Sequence, residues 1–143
     1  MMQYPSSDKL PTGDVTFLFT DIEGSTRLFR KDPAAMDAAL ASHHEILHDA
    51  IARRSGQVFQ IIGDAFCAAF ARPLDAVEAA LDAQRLLYAQ AWPGIGELRV
   101  RMGLHTAEAQ LRGDTYPSSL ILVRVQRVMD AGHGGQTLLS EST

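Results

Sequence analysis

Apolar and polar positions change their spacing several times along the chain, which predicts a domain that mixes strands and helices. Two short apolar runs, QVFQII and AFCAAF, flank Gly63-Asp64 and predict a β-hairpin. Apolar residues every three or four positions after Pro33 and after Pro73 predict two long helices. The predicted order is β-α-β-β-α-β-β-α-β, so we expect an α+β fold with a largely antiparallel sheet and helices on one face.

Glycine and capping residues indicate where several elements begin and end. The strand DVTFLFT is followed by Gly24, and a short helix is expected to begin at Ser25, whose hydroxyl suits an N-cap. LRVRMGLHTAEAQL predicts a strand that turns into a second one, with Arg99 and Arg101 on its solvated face. LILVRVQRVM fits either a strand or a helix, and GQTLLS predicts a final short strand. The helix after Pro73 is expected to bury Val77, Leu81, Leu87 and Tyr88.

Composition and charge narrow the possible functions. The chain has 143 residues, and its net charge of −4 argues against a nucleic-acid-binding domain, which is normally basic. One cysteine, Cys67, excludes a disulfide within the chain. There is no signal-peptide pattern and no apolar run long enough to span a membrane, so we expect a cytoplasmic protein. Residues 1–12 predict a flexible lead, and residues 13–143 predict one domain.

Two acidic residues stand where predicted strands end. Asp21 follows the first strand, and Asp64 lies in the hairpin turn. If these strands are neighbours, the two carboxylates emerge at one edge of the sheet and repel each other unless a cation lies between them. Mg²⁺ prefers one or two carboxylates completed by substrate phosphates, and the EGST turn offers backbone amides to those phosphates. The alternative is structural, with Asp21 capping a helix and Asp64 completing a good turn.

Four blocks of sequence together resemble a known family. FLFTDIEGSTRL, GDAFCAAF, LRVRMGLHT and HGGQTLLS, in this order and spacing, are similar to the catalytic domain of the class III nucleotidyl cyclases, from about Gly13 to Ser140. The resemblance implies a sheet with a ferredoxin-like core and a homodimer in which each active site is shared between two chains. It also implies conversion of ATP or GTP to a cyclic 3′,5′-monophosphate and pyrophosphate.

The resemblance assigns roles to particular residues. Asp21 and Asp64 match the carboxylates that hold two Mg²⁺ or Mn²⁺ ions, and Ile22 matches the residue whose carbonyl contacts one ion. Arg127 matches an arginine that stabilises the transition state from the partner chain, so Asp21, Asp64 and Arg127 are the catalytic candidates. The substrate-binding candidates, which include the backbone amides expected to wrap the triphosphate, are Glu23, Gly24, Ser25, Thr26, Gln60, Gly63 and Val123.

The nucleoside half of this pattern departs from the family. Val123 stands where the family has an asparagine that positions the ribose, and losing one preorganised donor costs on the order of 10²–10³ in rate. Gln60 replaces a lysine that reads adenine, which weakens the preference for ATP over GTP. The partner of that lysine falls on Tyr116, and reaching Asp114 requires an insertion.

Two functional hypotheses follow. The chain stops before the family's further C-terminal strands, which carry a lysine for the triphosphate, so we expect a truncated cyclase domain and possible C-terminal regulatory or output domains. The first hypothesis is a cyclase that acts on ATP in preference to GTP. The second is a degenerate module that binds nucleotide, or only dimerises, to regulate an attached downstream domain.

A competing motif, HEILH, matches the H-E-x-x-H pattern of zinc hydrolases. On a helix it would put His44 and His48 on one face to bind Zn²⁺, with Glu45 as general base. A catalytic zinc needs a third protein ligand, for which only His105 and His133 remain. The motif lies beside the apolar stripe of its helix, which favours a chance match. That stripe is Leu40, His43, Leu47 and Ile51.

Overall fold

A computed structural model describes residues 10–117 and 119–143 of the chain. The helices and strands of this part are β1 (Gly13–Ile22), α1 (Ser25–Lys31), α2 (Pro33–Arg53), β2 (Gln57–Ile62), β3 (Ala65–Phe70), α3 (Pro73–Ala89), β4 (Val100–Ala109), α4 (Leu120–Asp130) and β5 (Thr137–Leu139). The ambiguous run LILVRVQRVM is helical. LRVRMGLHTAEAQL contains one strand, β4, because residues 100–109 all pair with β1 and no second strand begins within this run.

The sheet has the order β2-β3-β1-β4-β5, with β1 in the centre. β1 pairs antiparallel with β3 and β4, β2 pairs antiparallel with β3, and β5 pairs parallel with β4. The first four strands and the helices between them have the β-α-β-β-α-β connectivity of a ferredoxin-like core. The predicted α+β fold with a mostly antiparallel sheet is therefore confirmed.

Both faces of the sheet are covered by helices. Leu18 and Ile22 of β1 belong to a core shared with α2 and α3, whereas Phe17 and Phe19 belong to a core shared with α4. The expectation of helices on one face is wrong for α4. The central strand explains the difference, because its nearly continuous apolar run is typical of a strand buried on both sides.

The packing of α3 also differs from the prediction. Tyr88 is 92% exposed and Leu81 is 44% exposed, although both were expected to face inward. The buried face of α3 consists mainly of small residues, namely Ala76, Ala79, Ala80, Ala83 and Leu87. Alanines leave little side chain between a helix and its neighbours, so α3 lies close to the sheet and its larger residues point outward.

Several loops and ends are tied to the domain by side chains. Leu10 is buried, and the Tyr116 hydroxyl donates to the Pro11 carbonyl at 2.6 Å. The rest of the expected flexible lead, residues 1–9, lies outside the described residues. The Trp92 indole donates to the Leu87 carbonyl at 3.1 Å and fastens the loop after α3. No helix in the described part is both long enough and apolar enough to cross a membrane.

Candidate metal and nucleotide site

The hairpin turn between β2 and β3 contacts the end of β1. The Ile22 amide donates a hydrogen bond to Asp64 Oδ2 at 2.6 Å. Gly63 has a φ of 61°, a conformation that glycine adopts without strain, and it allows the tight turn that presents Asp64. The carboxylate of Asp64 is thus bound to the residue that directly follows Asp21. The expectation that β1 and β2 are neighbours is wrong, because β3 lies between them. Asp64 nevertheless comes to the end of β1, because it directly precedes β3, which pairs antiparallel with β1.

Asp21 forms a two-point ion pair with Arg101 on the neighbouring strand β4. Arg101 Nε donates to Asp21 Oδ1 at 2.8 Å, and Nη2 donates to Oδ2 at 2.5 Å. The side chains are 28% and 19% exposed, respectively, and the hydrogen bonds to Asp21 raise the pKa of Arg101 above its ordinary value. The expectation that Arg101 lies on a solvated face is therefore wrong, whereas Arg99 is exposed as expected. Strand alternation separates two faces, but only the β1–β4 register places Arg101 opposite Asp21.

The turn after β1 leads directly into α1. Gly24, rather than Ser25, is the N-cap of this helix, with a φ of 66° and no side-chain capping bond. The amides that follow belong to the first turn, where no intrahelical acceptor exists, so they point toward the space before the helix. The Glu23 amide differs, because it donates to the Arg99 carbonyl at 2.8 Å. It is therefore the amides of residues 24–26, and not that of Glu23, that suit a phosphate.

A cavity of about 640 Å³ lies beside this turn. Three basic residues, Arg27, Lys31 and Arg99, contribute to its lining. Glu97 forms an ion pair with Arg99 at 2.7 Å, and Glu23 also lines the cavity. The sequence motifs did not identify these basic residues as part of the site. Arg27 and Lys31 are spaced four residues apart in α1 and therefore lie on one side of it. This spacing is the sequence feature that could have identified them.

Of the positions expected to contact the purine base, some lie on the surface and one lies in the core. Gln60 is exposed and lies next to a register shift in the β2–β3 pairing. It pairs with Cys67, which pairs in turn with Phe19, so Gln60 lies on the same sheet face as Asp21. Tyr116 is buried, and its ring packs edge-on against Phe17 at 5.0 Å. Tyr116 is therefore a core residue, whereas Asp114 is exposed.

Helix α4 carries the two remaining candidates on its outer side. Val125 and Met129 anchor the helix to the sheet, whereas Val123 and Arg127 are exposed. Val123 and Arg127 are four residues apart and so lie next to each other on the helix surface. Arg127 forms none of the ion pairs found among residues 10–117 and 119–143. Within one chain of the described structure, Arg127 therefore forms no ion pair with Asp21 or Asp64.

The histidines of the HEILH motif pack around an aromatic ring. The rings of His43, His44 and His48 lie 5.7, 4.9 and 5.0 Å from that of Phe66, nearly perpendicular to it. Burial lowers the pKa of His43 to about 3 and lowers those of His44 and His48.

The expected third zinc ligands lie elsewhere. His105 hydrogen-bonds to Ser140 at 2.7 Å, and His133 to the Gly134 carbonyl at 3.0 Å. Across the described part of the chain, no three His, Cys, Asp or Glu residues could together hold a metal ion. The motif therefore has a packing role here rather than the ligand set of a zinc hydrolase.

The acids nevertheless fit a divalent cation that substrate phosphates would complete. Carboxylate oxygens are the ligands that Mg²⁺ prefers, and such a site needs only one or two of them from the protein. Both oxygens of Asp21 already face a cationic group, the guanidinium of Arg101. Asp21 is thus a carboxylate that a positive charge already compensates, and the Ile22 amide holds Asp64 at the same edge of the sheet.

Related proteins share this sequence over most of its length. Residues 8–114 match the family described as the adenylate and guanylate cyclase catalytic domain. An uncharacterized protein of Mycobacterium tuberculosis (strain ATCC 25618 / H37Rv) is 41% identical over 135 residues, which cover 93% of this chain and 45% of that protein. The receptor-type adenylate cyclase GRESAG 4.3 of Trypanosoma brucei brucei is 29% identical, over 96% of this chain and 14% of that protein. This chain thus spans less than half the length of these relatives.

Solved structures share the fold. A structure of adenylate cyclases from Trypanosoma brucei in their monomeric state has a TM-score of 0.86 and 27% identity, and the match covers 96% of this chain and 77% of that chain. The non-canonical dimeric guanylyl cyclase domain of the RhoGC fusion protein from Blastocladiella emersonii has a TM-score of 0.79 at 19% identity, covering 91% and 80%. The family match includes both acids and ends before α4. The chain belongs to the adenylate and guanylate cyclase catalytic domain family.

Proposed function

We propose that this domain converts a nucleoside triphosphate, ATP in preference to GTP, to a cyclic 3′,5′-monophosphate and pyrophosphate. The observation that carries the proposal is the bond from the Ile22 amide to the Asp64 carboxylate, which brings the two acids to one end of the sheet. The amides at the start of α1 follow directly on the same chain segment. Charged oxygens for cations and amides for phosphates thus lie side by side.

Each part of the site has a distinct task in this proposal. Two Mg²⁺ or Mn²⁺ ions, when bound, would acidify the ribose 3′-hydroxyl and neutralise the leaving pyrophosphate. Asp21 and Asp64 would hold these ions, with the Ile22 carbonyl as a further oxygen ligand. The amides of residues 24–26 would donate to the phosphate oxygens and fix the triphosphate. Gln60, exposed on the face that carries Asp21, would hydrogen-bond to the edge of the purine.

The proposed active site includes a second copy of the chain. Arg127 is exposed on the outer side of α4, away from the sheet, where a partner chain can be reached. Its guanidinium would stabilise charge on the phosphorus atom as the 3′-oxygen attacks. Val123, one turn earlier, has no side-chain donor for the ribose, so we expect turnover to be slow by on the order of 10²–10³.

Val123 also favours a second candidate function. A domain that keeps the acids and the phosphate amides but lacks the ribose contact would bind nucleotide with little turnover. In this second function, nucleotide binding by the domain would regulate an attached domain. Nucleotide binding without cyclic product separates this function from the first.

The test is turnover of labelled ATP and GTP with Mn²⁺ by the full-length protein. We expect cyclic product from wild type, none from Asp21→Asn or Asp64→Asn, and normal product from Asp14→Asn. Asp14 is a matched control, because it is exposed at the opposite end of the same strand. Cyclic product that persists in Asp21→Asn would refute the assignment of that carboxylate.

Mixing two inactive variants tests the shared site. Asp21→Asn and Arg127→Ala each remove one half of a site, and a mixed dimer restores one complete site. After random exchange of chains we expect about a quarter of wild-type activity, because half of the dimers are mixed and each has one intact site of two. No recovery in a mixture whose chains are shown to exchange would refute the role of Arg127 from the partner chain.

A further inference from the structure

The cavity of about 640 Å³ beside the turn after β1 is bordered by basic side chains. Helix α1 contributes Arg27 and Lys31 to its lining, and the segment before β4 contributes Arg99. Ligand pockets in proteins have volumes of roughly 300–1,000 Å³, so the cavity is large enough to receive a small anionic group. Glu23 also lines the cavity and directly precedes the amides of residues 24–26, which suit a phosphate.

The Arg27 guanidinium lies against the turn itself. A Cβ at Gly24 would be 3.0 Å from Arg27 Nη2 and 3.6 Å from Arg27 Cζ. Gly24 is the N-cap of α1 and the first of the three residues with such an amide. A phosphate bound to these amides would therefore lie close to a guanidinium, whose planar fork matches two phosphate oxygens.

Lys31 extends the positive charge along the cavity. It lies four residues after Arg27 in α1, on the same side of the helix and about 6 Å farther from the turn. Both side chains are exposed, and neither belongs to an ion pair within the part of the chain that the structure describes. Both cations are thus available to a ligand.

The acidic residues that line the cavity have other neighbours. Glu97 forms an ion pair with Arg99 at 2.7 Å. A Cβ at Gly134 would lie 2.5 Å from Glu23 Oε2, so the Glu23 carboxylate lies against the loop between α4 and β5. Helix α1 itself, STRLFRK, contains no acidic residue, and the wall that it forms is therefore positively charged.

We propose that this cavity receives the terminal phosphate of the nucleoside triphosphate, and that Arg27 and Lys31 bind this phosphate and so select triphosphates over diphosphates. The inference rests on the proposed function, because it assumes that the phosphate chain lies on the amides of residues 24–26. A phosphate chain that leaves these amides along α1 meets Arg27 first and Lys31 next. Amides at a helix start contribute only partial charges, whereas the two side chains supply full charges to the anionic end of the substrate.

Binding with and without the third phosphate is the test, since it does not depend on turnover. Calorimetry of the full-length protein in Mn²⁺ gives the dissociation constants of ADP and of a non-hydrolysable ATP analogue. We expect Arg27→Gln to weaken binding of the analogue by about tenfold, because a charge-assisted contact is lost, and to leave binding of ADP unchanged. Lys31→Gln should weaken binding of the analogue by a smaller factor, because an ammonium acts as a point charge.

Two further variants separate a direct contact from a general effect of charge. Arg30→Gln is the matched control, because Arg30 is an exposed cation of the same helix that does not line the cavity. It should leave both dissociation constants unchanged. Arg27→Lys keeps the charge but loses the two-point contact, so it should weaken binding of the analogue less than Arg27→Gln does. Glutamine is a good helix former, and these positions are exposed, so we expect all four variants to fold.

The outcomes separate this inference from the proposed function. If Arg27→Gln weakens the analogue and ADP equally, or neither, or if Arg30→Gln causes the same loss, the placement of the terminal phosphate is overturned. The proposed function then stands as long as Asp21→Asn abolishes cyclic product. If wild type binds neither nucleotide, both proposals fail together. A loss confined to the analogue, and to the variants of Arg27 and Lys31, supports the inference even if no cyclic product forms.

Discussion

Replacing Gly103 by alanine tests how α4 is seated on the sheet. Gly103 lies in the middle of β4, and a Cβ there would lie 2.6 Å from Met129 Cα and 2.8 Å from Met129 Cβ. Real Cβ atoms essentially never approach other atoms this closely. The obstacle includes helix backbone, which cannot rotate away as a side-chain end can. Either α4 moves off the sheet or the strand bends.

The energy follows from two opposing terms. Overpacking a buried site costs about 1–3 kcal/mol, and replacing glycine in a strand by alanine returns roughly 0.5–1 kcal/mol. We therefore expect Gly103→Ala to lower the free energy of unfolding by about 1–2 kcal/mol, or the melting temperature by roughly 4 °C for each kcal/mol. Urea titration measures this change. Because α4 carries Arg127, activity should fall by more than the loss of folded protein explains.

Gly132→Ala is the control for this prediction. A Cβ at Gly132 would lie 3.1 Å from Gln136 Oε1 and 3.2 Å from Leu138 Cδ1, both of which are ends of side chains that can shift. We expect this variant to be nearly as stable as wild type. If Gly103→Ala unfolds at the wild-type urea concentration, or if the two variants lose equal stability, α4 does not pack against β4 at Gly103.

Three further changes probe separate features. Val123→Asn should raise kcat by up to about 10², because it supplies a donor where the family positions the ribose; with Val123→Leu as the control, no gain over Leu would remove this position from the site. Tyr116→Phe loses the bond to the Pro11 carbonyl and should cost about 1 kcal/mol of stability, with an unchanged ratio of ATP to GTP turnover; a changed ratio would contradict its core role. His43 is buried, with a pKa lowered from 6.5 to about 3, so unfolding takes up a proton below pH 6.5. The free energy of unfolding should therefore fall by up to about 1.4 kcal/mol per pH unit as the pH drops from about 6.5 toward 3, and urea titrations at several pH values should show a flatter slope in His43→Leu.

The elements with strong local signals were predicted well. The β2–β3 hairpin follows from a two-residue turn between apolar runs, and α2 follows from a proline start and a helical apolar stripe. The prediction of the inner face of α3 was wrong because it assumed that the large apolar residues are the buried ones. Tertiary packing instead selected the alanines, and Tyr88 remained in solvent.

Of the residues in the candidate site, the sequence analysis pointed to the two acids because each stands where a strand ends. Asp21 and Asp64 each stand next to a turn, and the antiparallel pairing of β1 with β3 brings both turns to the same edge of the sheet. Arg101 lies 80 residues from Asp21, and alternation along β4 does not say which strand lies beside it. The register between β1 and β4 is a property of the whole sheet. For this reason the sequence analysis did not predict the ion pair between Arg101 and Asp21, although Asp21 was a metal-ligand candidate.

The position of Asp21 suits one carboxylate to both the fold and the proposed metal site. It follows Phe17 and Phe19 on the face of β1 that packs against α4, so it lies at the rim of a core and is shielded from much of the water. An ionised carboxylate in such a place is costly unless a cation compensates it. Arg101 provides that cation while the protein holds no metal, and a divalent ion would provide it during turnover. A site placed farther out in solvent would need no resident arginine, but it would also attract its ions less strongly, because water screens exposed charges.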